Sequence, residues 1–146
     1  MRKALFVTLA CVVMLITANV HASEADAILG QWFTDGGESI VEIYKCNESY
    51  CGKIIWLKEP KNTDGTEKTD SKNPDVSKKA RKVLGMDIVW GFQHKSNNAW
   101  SMGNIYDPKS GKTYSCSAKL DKDNLNIRGF IGVSLLGRTT VWKRKQ

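Results

Sequence analysis

After residue 22, the side chains that could do chemistry are Cys46, Cys51 and Cys116, a single histidine, His94, and a scatter of carboxylates. Thiolates and an imidazole are zinc ligands, but Cys46-x4-Cys51 with Cys116 and His94 far away departs from the usual zinc spacings. The same spacing is not that of a C-x-x-C redox pair. Asp64, Asp70, Asn73 and Asp75 offer oxygen donors for calcium, yet the glutamate that ends a calcium-binding loop is missing, and a solvated loop explains them. Gly111-Lys112-Thr113 looks like the tail of a phosphate-binding loop, but Tyr106 stands where its first glycine belongs and Asp107-Pro108 makes a hairpin turn. Gly132 to Gly137 is one residue too long for a nucleophile elbow. An acid/base set of Glu42, Asp87 and Asp107 is the lowest-ranked alternative, because no pattern selects it. The reading is of a protein with no catalytic residue, no metal ligand and no cofactor.

Cysteine chemistry depends on compartment. The chain opens MRK, runs uncharged from Ala4 to Ala18, and turns polar at Ser23 after NVHA, the order of a secretory signal peptide cut after Ala22. The apolar run is shorter than the roughly 20 residues of a membrane-spanning helix. The expectation is an exported protein, periplasmic or secreted, with a cleaved signal at 1–22 and a single domain at 23–146. No transmembrane segment follows the signal. Formal net charge is +7; without Arg2 and Lys3, 20 Lys and Arg face 15 Asp and Glu, a net of +5. That balance attracts an anionic envelope component at long range. Nucleic acid is disfavoured, because the aromatics recur at strand spacing and not among the basic clusters.

The elements that must carry these residues are strands. Eight short alternating segments, 29–34, 38–46, 51–58, 83–93, 98–107, 112–120, 124–131 and 136–144, are punctuated by turn residues such as Asp35-Gly36-Gly37 and Asp121-Lys122-Asp123. Such spacing predicts an all-β antiparallel meander closed into an eight-stranded barrel, which removes exposed sheet edges. The connection at 59–82 is long and polar, and Asp75 can cap a short helix within it. Alternation puts Tyr114, Cys116, Ala118 and Leu120 on one inward face, Met86, Ile88, Trp90 and Phe92 on another, and Leu125, Ile127, Gly129, Ile131 and Val133 on a third.

With Cys116 inward as a buried free thiol, Cys46 and Cys51 are left to bridge each other across a hairpin. If they face each other directly, Tyr44 lies opposite Lys53, Ile43 opposite Ile54, and Val41 opposite Trp56. The clamp would pin register.

The segments ILGQWFT, VEIYKCNESYCGKIIWLKEP, DSKNPD, LGMDIVWGF, GNIYDPKSGKTYSC and IRGFIGVSLLGRTTVW together resemble the bacterial domain-of-unknown-function family 2147 (DUF2147) over nearly all of 23–146. The resemblance implies a lipocalin- or calycin-like antiparallel barrel and no established reaction. Gly30-Gln31-Trp32 looks like the G-x-W of such barrels, and Arg138 on the last strand looks like the arginine that covers that tryptophan and closes the barrel end. The leading expectation is a non-enzymatic binder of a small apolar or amphipathic molecule, lined by Trp56, Trp90, Phe92, Trp100 and Tyr106. The alternative is an envelope interaction module with a filled core that uses its outer face and the 59–82 loop.

Overall fold

Alternating polar and apolar residues give each strand a wet face and a dry face, and closing the sheet turns every dry face inward. A computed structural model describes residues 23–132 and 136–146; the expected signal at 1–22, and Val133, lie outside the described residues. The strands are β1 (Gly30–Phe33), β2 (Ser39–Cys46), β3 (Ser49–Leu57), β4 (Asp87–Ser96), β5 (Ala99–Asp107), β6 (Lys112–Asp121), β7 (Asn124–Phe130) and β8 (Arg138–Arg144). Each pairs antiparallel with the next, and β8 pairs with β1 to close an eight-stranded meander barrel. Two-residue turns join β2 to β3 and β4 to β5, with Asn47 at φ 54° and Asn97 at φ 49°, a left-handed conformation that asparagine tolerates.

The β2–β3 register differs from expectation. Cys46 pairs with Ser49 and Tyr44 with Cys51, because the turn takes only Asn47 and Glu48. Cys46 and Cys51 are therefore diagonal neighbours on one face, bonded to each other with Cα atoms 5.8 Å apart. Cys116 is a buried free thiol whose pKa burial pushes up to about 12.

Three bulges overturn part of the face assignment. Between Ile40 and Val41 the β2–β3 register shifts, so Val41 pairs with Ile54 and Ile40 with Trp56. Along β4 the partners of Lys53, Gly52 and Tyr50 are Asp87, Val89 and Phe92, which inserts one extra residue on each step. Val89 and Phe92 consequently point inward, while Trp90, paired with Asn104, points outward. Trp56 and Trp90 are 42% and 38% exposed, so neither lines the interior. Ile131, also expected inside, is 70% exposed because β7 ends at Phe130.

The interior is packed by Trp32, Ile43, Phe92, Trp100, Leu125, Ile127 and Trp142 with their smaller neighbours. A Cβ on Gly103 would overlap the Phe92 ring and crowd the Cys116 sulfur, so glycine is what lets β5 pass this close. Phe92 and Trp100, two of the expected lining residues, are fully buried parts of this packing.

In a meander, successive turns alternate between the two barrel ends. One end is closed by a 3-10 helix, Glu24–Ile28, which runs into β1. The indoles of Trp32 and Trp100 donate to the carbonyls of Ile28 and Ala25 at 3.0 and 3.1 Å, and the Tyr50 hydroxyl donates to Asp26 at 2.8 Å. Lys45 also bonds Asp26 and, with Tyr50, holds its carboxyl below the usual range. The guanidinium over Trp32 is that of Arg144, 4.1 Å from the ring centre, and not that of Arg138. The pairing explains the correction. Trp32 lies opposite Arg144, whereas Arg138, at the other end of β8, lies opposite Gly129 and is exposed.

Candidate functional site

The long connection between β3 and β4 is folded against the barrel wall. Backbone bonds from Asp70 N to Arg81 O and from Val83 N to Lys68 O zip its two limbs together. Between them lies a short 3-10 helix, Val76–Lys78, whose cap Asp75 accepts from the Ser77 amide at 3.0 Å.

One buried carboxylate fastens this loop. Asp70 is wholly buried and accepts from the Asn73 amide at 2.7 Å, from Arg81 Nε at 3.0 Å and from the Tyr106 hydroxyl at 2.5 Å. The Arg81 guanidinium also stands over the Tyr106 ring, 5.9 Å from its centre. Because Ile105 pairs with inward Val89 and Tyr106 pairs with Thr113, Tyr106 belongs to the outer face of β5. Its burial comes from the loop and not from the barrel. On the far side of the loop, a Cβ on Gly111 would collide with the Lys72 carbonyl, so the β5–β6 turn needs glycine to seat against it. The neighbouring Lys109 forms an ion pair with Glu38 of the β1–β2 turn.

Where the loop stands off the wall there is an open cleft of about 400 Å³. Asn73, Pro74, Asp75, Lys78 and Arg81 form its loop side; Asp87, Trp90, Tyr106 and Thr113 form its barrel side. The Trp90 indole is the exposed aromatic surface. Charge is balanced and mostly paired: Lys78 lies 3.6 Å from Asp75, Arg81 lies 3.0 Å from Asp70, and Asp87 accepts from the Tyr44 hydroxyl at 2.7 Å. A second open pocket, about 390 Å³, lies on the outer face of β5 to β8, where its one aromatic, Trp100, is buried.

The five expected lining residues are thus divided among three places. Phe92 and Trp100 are in the core, Trp90 and Tyr106 meet at the cleft, and Trp56 lies elsewhere on the outside, edge-on to Phe33 at 6.4 Å. Asp70 and Asn73 enter the sequence reading only as oxygen donors for calcium, set aside as a solvated loop, and Arg81 as no site residue at all; the Asp70 carboxylate instead takes Asn73, Arg81 and Tyr106 as partners. The carboxylates of the weak acid/base alternative have separate partners: Glu42 meets Gln31 and Lys53, Asp87 meets Tyr44, and Asp107 organises its own turn. His94 bonds the Asn97 carbonyl in the β4–β5 turn at 2.8 Å. Among the described residues no cluster of three His, Cys, Asp or Glu side chains could hold a metal ion, and no helix is long and apolar enough to cross a membrane.

Burial, then the bond to Asp70, pushes the Tyr106 pKa up to about 12. A raised folded-state value means that the contact is fully present below pH 10.0 and is lost as pH rises towards about 12. Tyr50 is pushed to about 12 by burial and Asp26. Tyr44 is raised as well, by its bond to Asp87, so an ultraviolet tyrosinate titration of Tyr106→Phe should lose one of three late-titrating equivalents. Protease cleavage of the loop in the parent protein should rise over the same alkaline window.

The chain is thus a closed eight-stranded antiparallel meander barrel, one end of which is sealed by the Glu24–Ile28 helix, Trp32 and Arg144. The solved structure "Protein HP1028 from the human pathogen Helicobacter pylori belongs to the lipocalin family" superposes with a TM-score of 0.70 at 22% identity, covering 81% of this chain and 82% of that one. The family model described as "Uncharacterized protein conserved in bacteria (DUF2147)" matches residues 30–144, and the chain belongs to that family. A comparison with curated proteins finds no match.

Proposed function

We propose that this is an exported, non-enzymatic binding protein for a small amphipathic molecule, and that its site is the cleft between the long loop and the outer wall of β4 to β6. The observation that carries the reading is the contrast between two aromatic sets. Phe92 and Trp100 are sealed inside a packed barrel, whereas Trp90 presents its indole to an open cleft ringed by polar side chains. Binding sites commonly pair apolar surface with a few convergent polar groups in volumes of about 300–1,000 Å³. A barrel can fill its interior with its own side chains and still offer such a site on its wall. Export is supported by the charged, apolar and small-residue order of residues 1–22 and by the Cys46–Cys51 bond, which persists in oxidising compartments.

The test is nuclear magnetic resonance mapping of an amphipathic reporter, 1-anilinonaphthalene-8-sulfonate. Shifts should gather at Trp90, Thr113 and Arg81. Shifts confined to Phe92, Trp100 and Trp142 would move the site into the barrel and overturn the cleft assignment.

A second reading, an envelope interaction module, has an observation of its own. Half-buried Phe33 and exposed Trp56 form an aromatic pair, and both are strand partners of Ile40, which is buried yet lies outside the main core cluster. Adding a soluble envelope extract to the same spectra should broaden signals of Phe33 and Trp56 if this reading holds. Unchanged signals there would discard it.

A further inference from the structure

We infer that the cleft recognises a neutral saccharide unit of about one or two rings, stacked on Trp90; this rests on the cleft being the ligand site. Three observations narrow the chemistry. First, the cleft holds about 400 Å³, at the lower end for small-molecule sites and too little for a long acyl chain with its head group. Second, both of its cations already have carboxylate partners. Lys78 is engaged by Asp75, and Arg81 by the buried Asp70, so a phosphate or carboxylate would have to compete with carboxylates already in place. Third, the polar rim interleaves donors and acceptors around one flat apolar surface. Lys78, Arg81 and the Thr113 hydroxyl can donate; Asp75, Asp87 and that same hydroxyl can accept.

A pyranose matches this arrangement. One face of the ring is a patch of C–H groups, and its edge is a rim of hydroxyls that each donate and accept. Trp90 supplies a rigid aromatic platform 38% open to solvent. Gly91, at φ 79°, sits at the β4 bulge that turns the indole outward. The loop side is fixed by Asp70, so the rim is set before a ligand arrives, which lowers the ordering cost of binding a weakly interacting sugar.

The experiment uses protein purified from its own host, titrated with maltose, cellobiose and chitobiose, and with sodium dodecanoate and inorganic phosphate as comparators. At least one disaccharide should move the Trp90 indole N–H signal in a saturable way. Read from the Thr113 backbone amide, which lines the same cleft, Trp90→Ala should weaken that binding at least tenfold and Trp90→Phe should retain most of it, with unchanged circular dichroism in both variants. If the anilinonaphthalene reporter, dodecanoate or phosphate perturbs Trp90 while all three sugars leave it unmoved, the saccharide inference fails and the cleft stands. If no probe perturbs Trp90, the cleft and the saccharide fall together.

Discussion

Asp70→Ala should destabilise the folded protein by about 3 kcal/mol and free the long loop. The size follows from what the carboxylate leaves behind. Asn73 and the Tyr106 hydroxyl are both buried and both donate to Asp70, so each loses its acceptor. An orphaned buried donor costs about 1–3 kcal/mol. Arg81 adds less, because its side chain is 43% exposed and water can take over part of its solvation. Urea unfolding measures the loss, and proteolysis within 59–86 reports the loop. A second variant separates the causes: in Asp70→Ala with Tyr106→Phe, removing the stranded hydroxyl should restore about 1 kcal/mol. If the double variant is no more stable than the single one, the Tyr106 bond is not what holds the loop.

The order of the strands was readable because turn chemistry and period-two alternation survive in the chain one segment at a time. Asn47, Asn97 and Lys122 sit at tight turns with positive φ, and each follows an alternating run. What alternation cannot show is a single extra residue. Each bulge reverses parity, and the two along β4 put Val89 and Phe92 inside while turning Trp90 out. The bulge opposite Ile40 does the same for Trp56. Those reversals moved the candidate site from the barrel interior to its wall.

The cleft itself depends on pairings that no local pattern records. Asp70 and Tyr106 are 36 positions apart and meet only because the β3–β4 loop folds back along β5. In the chain, DSKNPD looks like any solvated turn, with Asp75 capping a short helix. Gly111 carried a usable clue, since a glycine ending a four-residue turn invites close backbone approach, but nothing in the sequence names Lys72 as its neighbour. The hairpin bond was legible as a cysteine pair. Its diagonal geometry was not, because that depends on how many residues the turn consumes.

The arginine at the sealed end gives the sharpest contrast between two superficially equal side chains. Arg144→Ala should cost about 3 kcal/mol, while Arg138→Ala should stay within about 0.5 kcal/mol of the parent. Arg144 donates to the carbonyls of Leu29 and Ala27 at 3.0 and 2.7 Å, and its guanidinium covers the buried Trp32 ring at 4.1 Å. Those carbonyls flank the end of the Glu24–Ile28 helix, where the chain turns into β1, and would otherwise need other partners. The cation-π contact contributes about 1–2 kcal/mol when partly desolvated, and the charge-assisted bonds supply the rest. Arg144→Lys keeps the charge but loses the planar fork that reaches two carbonyls at once, so it should recover less than half of the loss. Thermal unfolding of the three variants, with Trp32 fluorescence as the local probe, decides the assignment. Equal losses for Arg138→Ala and Arg144→Ala would mean that the two ends of β8 contribute alike, contrary to the pairing of Trp32 with Arg144.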